Sequence, residues 1–431
     1  MMIFYAIRLL PILIITGLVH LESFAQRITR GPYLNAVTDR SAVIRWRTDK
    51  AVKGLLVWSA EGMRFDKKIK EKIRSTEHEI KADDLVSGTK YYYRTASARD
   101  RRLTVDSAQF FRTAPLRGSQ EPVRIWALGD FGNGSKNQYD CYRAMLSIAG
   151  DHLPDAWIWL GDNAYDAGRD DEYQKNVFEV YGRSFFQYTP VYPSPGNHDY
   201  KDKRENGASE IAYYKLFTVP KQGEGGGVPS ETSAYYSFDY GNVHLVSLNS
   251  EEETENGFTV SDTLSNQVTW LKKDLEENRS TWTVVYLHRP PYTGAGSHNA
   301  DIEKDLIALR KNLVPVLERY SVDLVVAGHS HVYERTYPLV GHYGPSNTFD
   351  PEKHIARYPV SGSKSQRGIV YIVAGSGGQI DNNEKGIPHP ATAHYNNDIG
   401  GSLLLDFSAN RLGGRWVSAT GEVGDSFFIE K

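Results

Sequence analysis

The sequence predicts an N-terminal all-β sandwich followed by a larger α/β domain. Residues 26–115 contain short apolar strands separated by Gly, Asp and Ser clusters, without a convincing helical repeat. Residues 121–431 instead alternate apolar runs with segments of helical periodicity, which is typical of a sheet covered by helices. With 40% hydrophobic and 24% charged residues among 431, the composition is that of a globular protein with ample core.

Residues 1–25 predict a secretory signal peptide with cleavage before Gln26. Arg8 precedes the apolar run Leu9–Val19, and Ser23–Ala25 supplies small residues at the positions that signal peptidase reads. The alternative is a membrane anchor, but the run is shorter than the roughly 20 residues that a spanning helix needs. We therefore expect a secreted or periplasmic protein with no membrane span in its mature form.

The β-sandwich is predicted from a series of short strands in residues 26–115. The segments with strand-like alternation are Ser41–Trp46, Lys53–Trp58, Glu79–Lys81, Tyr91–Thr95 and Gln109–Arg112. The segment Leu85–Tyr91, continued by two more tyrosines, resembles the turn and tyrosine corner of fibronectin type III-like domains. Residues 115–122 (PLRGSQEP) read as a linker to the next domain.

The α/β domain, residues 121–431, is predicted from alternating strands and helices. The predicted strands are Val123–Leu128, Ala156–Leu160, Val191–Tyr192, Val243–Leu248, Thr283–Leu287, Leu324–Ala327 and Ile369–Ala374. The predicted helices are Asn137–Ala149, Leu264–Glu277 and Asp301–Tyr320, which carry apolar residues at helical spacing. The C-terminal segments Ser402–Phe407, Arg415–Val417 and Ser426–Ile429 predict closing strands.

Charge and cysteine content exclude several classes of function. The net charge of −3 gives no basic excess, so we expect no nucleic acid partner. Cys141 is the only cysteine, which excludes an intrachain disulfide and a cysteine-based zinc cluster. A metal site in this chain would therefore be built from oxygen and imidazole donors.

Side chains that can bind metal follow the apolar runs of the α/β domain. In chain order they are Asp130, Asp162, Tyr165, Asn197, His288, His329 and His331. Because strand ends in open α/β sheets gather along one edge, we expect these side chains to lie together. A lone Gly-Asp or strand-end His is usually structural, whereas five such motifs in one order are far more specific. Residues 329 and 331 face the same way in an extended chain, so both imidazoles can enter one site.

In this order the residues resemble the calcineurin-like metallophosphoesterases, and within them the purple acid phosphatases. Gly132 stands where the wider superfamily has a His, and Tyr165 follows Asp162 by three residues. Both departures are features of the purple acid phosphatases. The resemblance covers about residues 123–377 and implies an αββα sandwich with mixed sheets. The β-sandwich before it is similar to the N-terminal domain of the larger, plant-type members.

The resemblance implies a dinuclear metal centre. One metal would be bound by Asp130, Tyr165 and His331. The other would be bound by Asn197, His288 and His329, and Asp162 would bridge the two. A tyrosinate favours Fe(III), whereas an amide oxygen with two imidazoles suits Zn(II), Mn(II) or Fe(II). A metal-bound hydroxide would attack phosphorus in line, without a protein nucleophile.

Two further histidines are candidates for contact with the substrate. The resemblance makes His198 an outer residue that protonates the leaving alkoxide or holds a phosphate oxygen, and the alternative is a structural hydrogen bond. His298 matches a substrate-contacting histidine of plant-type enzymes, and the alternative is an exposed loop residue.

Four other features are interpreted as structural. We expect His244 to be a strand residue without a catalytic role and Cys141 to be a buried thiol. Gly375–Gly378 lacks the Lys and helix of a nucleotide-binding loop and predicts a tight turn near the site. The acidic segment Glu251–Glu255 predicts a solvated loop.

The sequence therefore predicts an exported acid phosphatase that hydrolyses small phosphate monoesters. A phosphodiesterase or nucleotidase would use the same side chains and remains an alternative. A third possibility is a surface- or carbohydrate-binding protein whose β-module carries the function. The oligomeric state stays open.

Overall fold

A computed structural model describes residues 27–62, 64–97, 109–255, 257–357, 368–381 and 386–431. The signal peptide predicted for residues 1–25 and its cleavage point lie outside this part of the chain. Among the helices of the described ranges, none is both long and apolar enough to cross a membrane.

The strands of the described residues lie in four sheets. Their bounds are β1 Ile28–Asn35, β2 Ala42–Val52, β3 Gly54–Ser59, β4 Lys67–Lys70, β5 Ser75–Ala82, β6 Lys90–Ser97, β7 Phe110–Arg112, β8 Val123–Leu128, β9 Ala156–Leu160, β10 Val191–Ser194, β11 Tyr236–Tyr240, β12 Val243–Ser247, β13 Glu253–Thr254, β14 Gly257–Phe258, β15 Trp282–Leu287, β16 Leu324–Ala327, β17 Tyr333–Thr336, β18 Val370–Ala374, β19 Thr392–Asn396, β20 Gly401–Phe407, β21 Arg411–Ser418 and β22 Val423–Glu430.

Helices follow many of these strands, as expected for an α/β domain. The α-helices are α1 Lys136–Ala149, α2 Asp170–Glu172, α3 Glu179–Tyr181, α4 Lys201–Asn206, α5 Ala212–Leu216, α6 Asn266–Glu277, α7 Lys304–Ala308, α8 Val314–Arg319 and α9 Pro351–His354. Wider π-helical turns at Tyr173–Phe178, Gly182–Phe186 and Leu309–Leu313 join neighbouring helices, and 3-10 turns lie at Thr259–Ser261 and Ser346–Thr348.

Two large mixed sheets pack face to face. The nine-stranded sheet has the order β22-β21-β20-β8-β9-β10-β1-β2-β5, and the seven-stranded sheet has the order β11-β12-β15-β16-β18-β17-β19. One core lies between them, where Ile125 and Ile158 of the first sheet join Val284 and Val326 of the second. In the centres of both sheets neighbouring strands run parallel, so their carboxyl ends lie together.

Helices cover the outer faces of both sheets, which completes the predicted αββα arrangement. On the nine-stranded sheet, Trp126 and Trp157 pack against Met145 of α1 and aromatic residues of the segment 173–186. On the seven-stranded sheet, Val285 and Val325 pack with apolar residues of α6, α7 and α8. Fully buried strands need apolar side chains on both faces, which explains their continuous apolar runs.

The N-terminal strands form a two-layer β-sandwich that is joined to the α/β domain. Strands β1, β2 and β5 face the four-stranded sheet β4-β3-β6-β7 across a core that includes Ile44, Trp46 and Leu56. At its other edge β1 pairs with β10 through Asn35 and Val191, so three N-terminal strands extend the large sheet. The sequence did not predict this continuity, because a single parallel contact leaves no periodic signal.

A partly buried ion-pair cluster also ties the two parts together. Arg47 donates from both terminal nitrogens to Asp170 at 2.7 Å, and Arg30 donates to the same carboxylate at 2.9 Å. The Arg30 side chain is completely buried, whereas Asp170 is partly exposed. Asp170 is the first residue of α2, so the N-terminal strands fix the start of the helical segment 170–186.

We expect Asp170→Ala to lower the free energy of unfolding by about 2 kcal/mol, because it leaves the buried guanidinium of Arg30 without its carboxylate. Urea denaturation measures the change. Asp171→Ala is the control, since that neighbouring carboxylate is exposed and its ion pair with Arg169 is long, at 3.8 Å. Equal stability of the two variants would contradict the structural role of the cluster.

His244 lies on strand β12, as predicted, and it is held between two carboxylates. Its Nδ1 lies 2.7 Å from Asp239 and its Nε2 lies 2.8 Å from Asp274 of α6. Burial alone would lower the pKa of His244, but the hydrogen bonds and charges of Asp239 and Asp274 raise it to about 9.

This raised pKa predicts a pH-dependent stability. Folding favours the imidazolium, so its contribution is complete below the unfolded pKa near 6.5 and is lost as the pH rises towards 9. We expect the free energy of unfolding of the native chain to fall by roughly 3 kcal/mol over this interval relative to His244→Gln. Denaturant titrations at several pH values measure it, with the exposed His152→Gln as control. Parallel pH curves for the native chain and His244→Gln would refute the prediction.

Candidate metal centre

Three of the predicted site residues have backbone conformations that non-glycine residues rarely adopt. Asp130 follows β8 with φ of 57°, Asp162 follows β9 with φ of 49°, and His329 follows β16 with φ of 71°. Such left-handed conformations carry strain and are concentrated at functional sites. In this structure the left-handed conformations occur just after parallel strands end, and they set the direction of the three side chains there.

Glycines allow the strand-end loops to approach each other closely. A Cβ added at Gly196 would lie 2.2 Å from the backbone N of Asp162, and one at Gly132 would lie 2.0 Å from the carbonyl oxygen of Asn163. No side chain fits at position 132 in this arrangement, which explains why this chain has no histidine there. The backbone N–H of Tyr165 instead donates to the carbonyl oxygen of Gly132 at 2.7 Å.

Asp130, Tyr165 and His331 bring three donor atoms together. The Tyr165 hydroxyl lies 3.2 Å from Asp130 Oδ1 and 3.5 Å from His331 Nε2. His331 Nε2 lies 3.6 Å from Asp130 Oδ1. Donor atoms on one transition-metal ion are separated by about 3 Å, given bond lengths near 2 Å. We call these three residues the tyrosine cluster.

Asn197, His288 and His329 form a second group, the histidine cluster. His288 Nε2 lies 2.9 Å from Asn197 Oδ1 and 3.2 Å from His329 Nδ1. His329 Nδ1 lies 3.0 Å from Asn197 Oδ1.

Asp162 lies between the two clusters. Its Oδ2 is 3.3 Å from the Tyr165 hydroxyl, and its Oδ1 is 3.4 Å from His288 Nε2. The backbone N–H of His198 donates to Oδ1 at 2.7 Å, which fixes the carboxylate in this orientation. One carboxylate therefore presents one oxygen to each cluster.

The hydrogen bonds behind the clusters leave lone pairs facing inward. The Nδ1–H of His288 donates to the carbonyl oxygen of Leu160 at 2.9 Å, and the Nδ1–H of His331 donates to Asp381 at 3.0 Å. In the neutral ring, each Nε2 then has a lone pair directed at other electron-rich atoms. This arrangement is unfavourable without a positive charge, and a cation within each cluster satisfies it. The donor set thus fits two metal ions.

The pKa shifts of the site residues also show how closely the carboxylates and His288 interact. Burial raises the pKa of Asp130 to about 7, against the opposing effect of His288 and His331. Burial would lower the pKa of His288, but the charges of Asp162 and Asp130 raise it to about 10. Burial, followed by the same two carboxylates, holds the pKa of Tyr165 well above its ordinary value. The carboxylates therefore favour a positive charge at His288, although burial lowers the pKa of His329. A bound cation would favour the tyrosinate.

His198 lies beside the tyrosine cluster. Its Nδ1–H donates to the carbonyl oxygen of Asp166 at 2.6 Å, and its ring stands 4.5 Å from that of Tyr165. Its Nε2 is 3.9 Å from Asp162 Oδ2, so this nitrogen faces the site. The Asp166 loop is in turn held by Glu172, which accepts the backbone N–H of Asp166 at 2.7 Å.

His298 lies over the histidine cluster. Its ring stacks on His329 with 3.8 Å between ring centres, and its Nδ1 is 2.9 Å from Glu303 Oε2. Glu303 is also 3.9 Å from His329 Nε2. The structure therefore brings all nine predicted site residues into one region.

Sequence reasoning missed the carboxylates that support this region. Asp199 accepts the backbone N–H of Gly196 at 2.8 Å and the side-chain amide of Asn163 at 2.9 Å, tying together two of the loops. Burial raises the pKa of Asp199 to about 7. Asp381 and Glu303 were not singled out either. Asp199 follows His198 directly and Glu303 lies five residues after His298, so proximity in sequence was the only signal for these two.

The acidic segment Glu251–Glu255 was predicted to be a solvated loop, and this is wrong for its first residue. Residues 252–255 are exposed, but Glu251 is buried. Arg289 donates to both of its oxygens, at 2.8 and 2.9 Å. Because Arg289 follows His288 directly, this ion pair anchors the end of β15 at the site.

Two other structural predictions are confirmed. Cys141 is a buried thiol, and burial raises its pKa to about 12. The segment Gly375–Gly378 lies at the site, as predicted, since a Cβ at Gly375 would approach Asp130 Oδ2 to 2.8 Å, and it bends at residues 377–378.

The fold and the strand-end donors together define an α/β domain with a candidate metal site. Residues 123–333 match the family model described as calcineurin-like phosphoesterase.

The chain is also similar to purple acid phosphatases. It is 28% identical over 331 residues to purple acid phosphatase 23 of Arabidopsis thaliana, a match that covers 70% of this chain and 63% of that protein. It is 26% identical over 402 residues to purple acid phosphatase 1 of Ipomoea batatas, covering 88% and 77% of the two chains. The resemblance drawn from the sequence motifs is thus confirmed.

A solved structure shares the fold. Purple acid phosphatase PPD1 from yellow lupin (Lupinus luteus) seeds matches with a TM-score of 0.68 and 17% identity, covering 93% of this chain and 74% of that one. Because the sequence identity is low, this likeness concerns the fold.

Proposed function

We propose that this protein is an exported, dinuclear metal-dependent acid phosphatase that hydrolyses phosphate monoesters. The observation that carries the proposal is the orientation of Asp162, whose two oxygens lie 3.3 Å from the Tyr165 hydroxyl and 3.4 Å from His288 Nε2. A carboxylate placed in this way suits a bridging ligand between two metal ions.

In this proposal the tyrosine cluster would hold Fe(III), the histidine cluster would hold Zn(II), Mn(II) or Fe(II), and Asp162 would be shared by the two sites. Two such ions would activate water as the nucleophile and neutralise the negative charge of the phosphoryl group. The chain's residues orient these ions: Leu160 and Asp381 fix the rings of His288 and His331. No Cys, Ser or Thr nucleophile is required.

His198 and His298 bind the substrate from outside the clusters. The carbonyl oxygen of Asp166 fixes the Nδ1–H of His198, so its Nε2 is available to a phosphate oxygen or the leaving group. Glu303 fixes His298 in the same way, and stacking on His329 holds its ring in place.

We further propose a location and a domain organisation for this chain. Residues 1–25 act as a signal peptide that directs secretion or periplasmic export. Residues 26–115 form a fibronectin type III-like domain, and residues 121–431 form the catalytic domain. The substrate is a small phosphorylated molecule rather than a nucleic acid.

The test is a panel of phosphate monoesters and diesters assayed with the full chain before and after metal removal. We expect monoester hydrolysis at mildly acidic pH, loss of activity on removal of the metals, and recovery when iron and a divalent ion are restored. Faster hydrolysis of diesters than of monoesters would contradict the proposed reaction and support the phosphodiesterase alternative. Unchanged activity after complete metal removal would contradict the proposal.

A further inference from the structure

We infer that Asp381 is a positioning residue that couples the metal-binding ring of His331 to the loop that carries His298. The inference rests on the proposed function, because it assigns His331 to a metal and His298 to the substrate. Asp381 lies beyond β18 in the chain and is buried beside the site.

One oxygen of Asp381 orients the His331 ring. Oδ1 accepts the Nδ1–H of His331 at 3.0 Å, so Nε2 faces Asp130 and the Tyr165 hydroxyl. The backbone N–H of His331 approaches Oδ2 at 3.2 Å, and the backbone N–H of Asp381 donates to the His331 carbonyl oxygen at 3.1 Å. A carboxylate in this position fixes the ring and makes its other nitrogen a stronger donor.

The other oxygen of Asp381 holds the loop before His298. Oδ2 accepts the backbone N–H of Ser297 at 3.0 Å and the Ser297 hydroxyl at 2.8 Å. A Cβ added at Gly296 would lie 2.6 Å from Oδ2, so a glycine permits this approach. A single carboxylate therefore receives hydrogen bonds from His331 and from the residue next to His298.

An asparagine at position 381 cannot keep all of these bonds. Its amide has one acceptor oxygen in place of two, and its NH2 group would face an N–H or O–H donor. Asp381→Asn should therefore loosen the His331 ring, the Ser297 loop or both. Loss of such outer partners typically costs 10–100-fold in metal affinity or activity.

The experiment measures metal release and substrate kinetics separately, with the full chain. Metal release to a chromogenic chelator reports the His331 link without any substrate. We expect Asp381→Asn to release metal about 10-fold faster. In the metal-loaded enzyme, KM for a phosphate monoester should rise with a smaller change in kcat. Ser297→Ala should raise KM and leave metal release unchanged, because it breaks only the loop contact.

A double variant tests the coupling to His298. The rise in KM caused by Asp381→Asn should disappear in a His298→Ala background, whereas faster metal release should persist. Asp425→Asn is the matched control, since that carboxylate accepts from Arg335 and Tyr333 away from the site, and it should change neither quantity.

Two results would overturn the inference. The first is an Asp381→Asn variant with native metal release and native KM. The second is a double variant in which the KM effects of Asp381→Asn and His298→Ala add fully. If the native chain binds metal but hydrolyses no phosphate ester, the proposed function fails, and the release assay still tests the link between Asp381 and His331.

Discussion

Replacing Asp162 with Asn is expected to lower the turnover of phosphate monoesters by ~10³-fold or more, equivalent to about 4 kcal/mol of transition-state stabilisation. The carboxylate faces both clusters, and the amide has only one oxygen that can bind a metal ion. The substitution keeps the volume of the side chain, so the fold should survive. Steady-state kinetics and the bound metal content measure the effect.

Asp155→Asn is the matched control for this variant. Asp155 immediately precedes β9, the strand that ends just before Asp162, and its Oδ2 accepts the backbone N–H of Arg124 at 2.8 Å. We expect a modest loss of stability with nearly native turnover. An Asp162→Asn protein that keeps two metal ions and native turnover would show that this carboxylate does not bridge.

Replacing Tyr165 with Phe is expected to abolish the visible absorption of the metal-loaded protein. A tyrosinate bound to Fe(III) gives a charge-transfer band, and Phe has no oxygen to form it. Turnover should fall by at least ~10–100-fold, which is the typical cost of losing a group that only supports a metal ligand. Because Phe keeps the ring of this buried side chain, the packing should be preserved. Absorption spectra and iron analysis of the purified variant measure the change.

Tyr181→Phe is the control, because Tyr181 is fully buried among aromatic residues of the outer core. It should keep the native spectrum and turnover. A native protein that is active but colourless and free of iron would refute the Fe(III) assignment and leave the fold unaffected. A band that persists in Tyr165→Phe would assign the colour to another group.

The sequence was most informative where burial on both faces forces continuous apolar runs. The predicted strands Val123–Leu128, Ala156–Leu160 and Leu324–Ala327 have the same bounds in the structure. Helix ends were less well predicted: the segment predicted as Asp301–Tyr320 is helical over Lys304–Arg319, with a π-helical turn at Leu309–Leu313 in its interior. The pairing of β1 with β10 depends on one long-range contact, which no local pattern encodes.

For the site, the sequence revealed the donors but not their supports. A strand end followed by Gly and a metal-binding side chain is a local pattern, so Asp130 and His329 could be singled out. Asp381 is 50 residues from His331 in the chain, and only the fold brings the two together. Glu251 was misjudged for the same reason, because the arginine that buries it, Arg289, is distant in sequence.

The most direct test of the dinuclear site is the metal-to-protein ratio of the purified full chain. We predict two metal ions per chain, one of them iron, with phosphatase activity proportional to the doubly loaded fraction. An active protein with one metal ion per chain, or none, would contradict a dinuclear site.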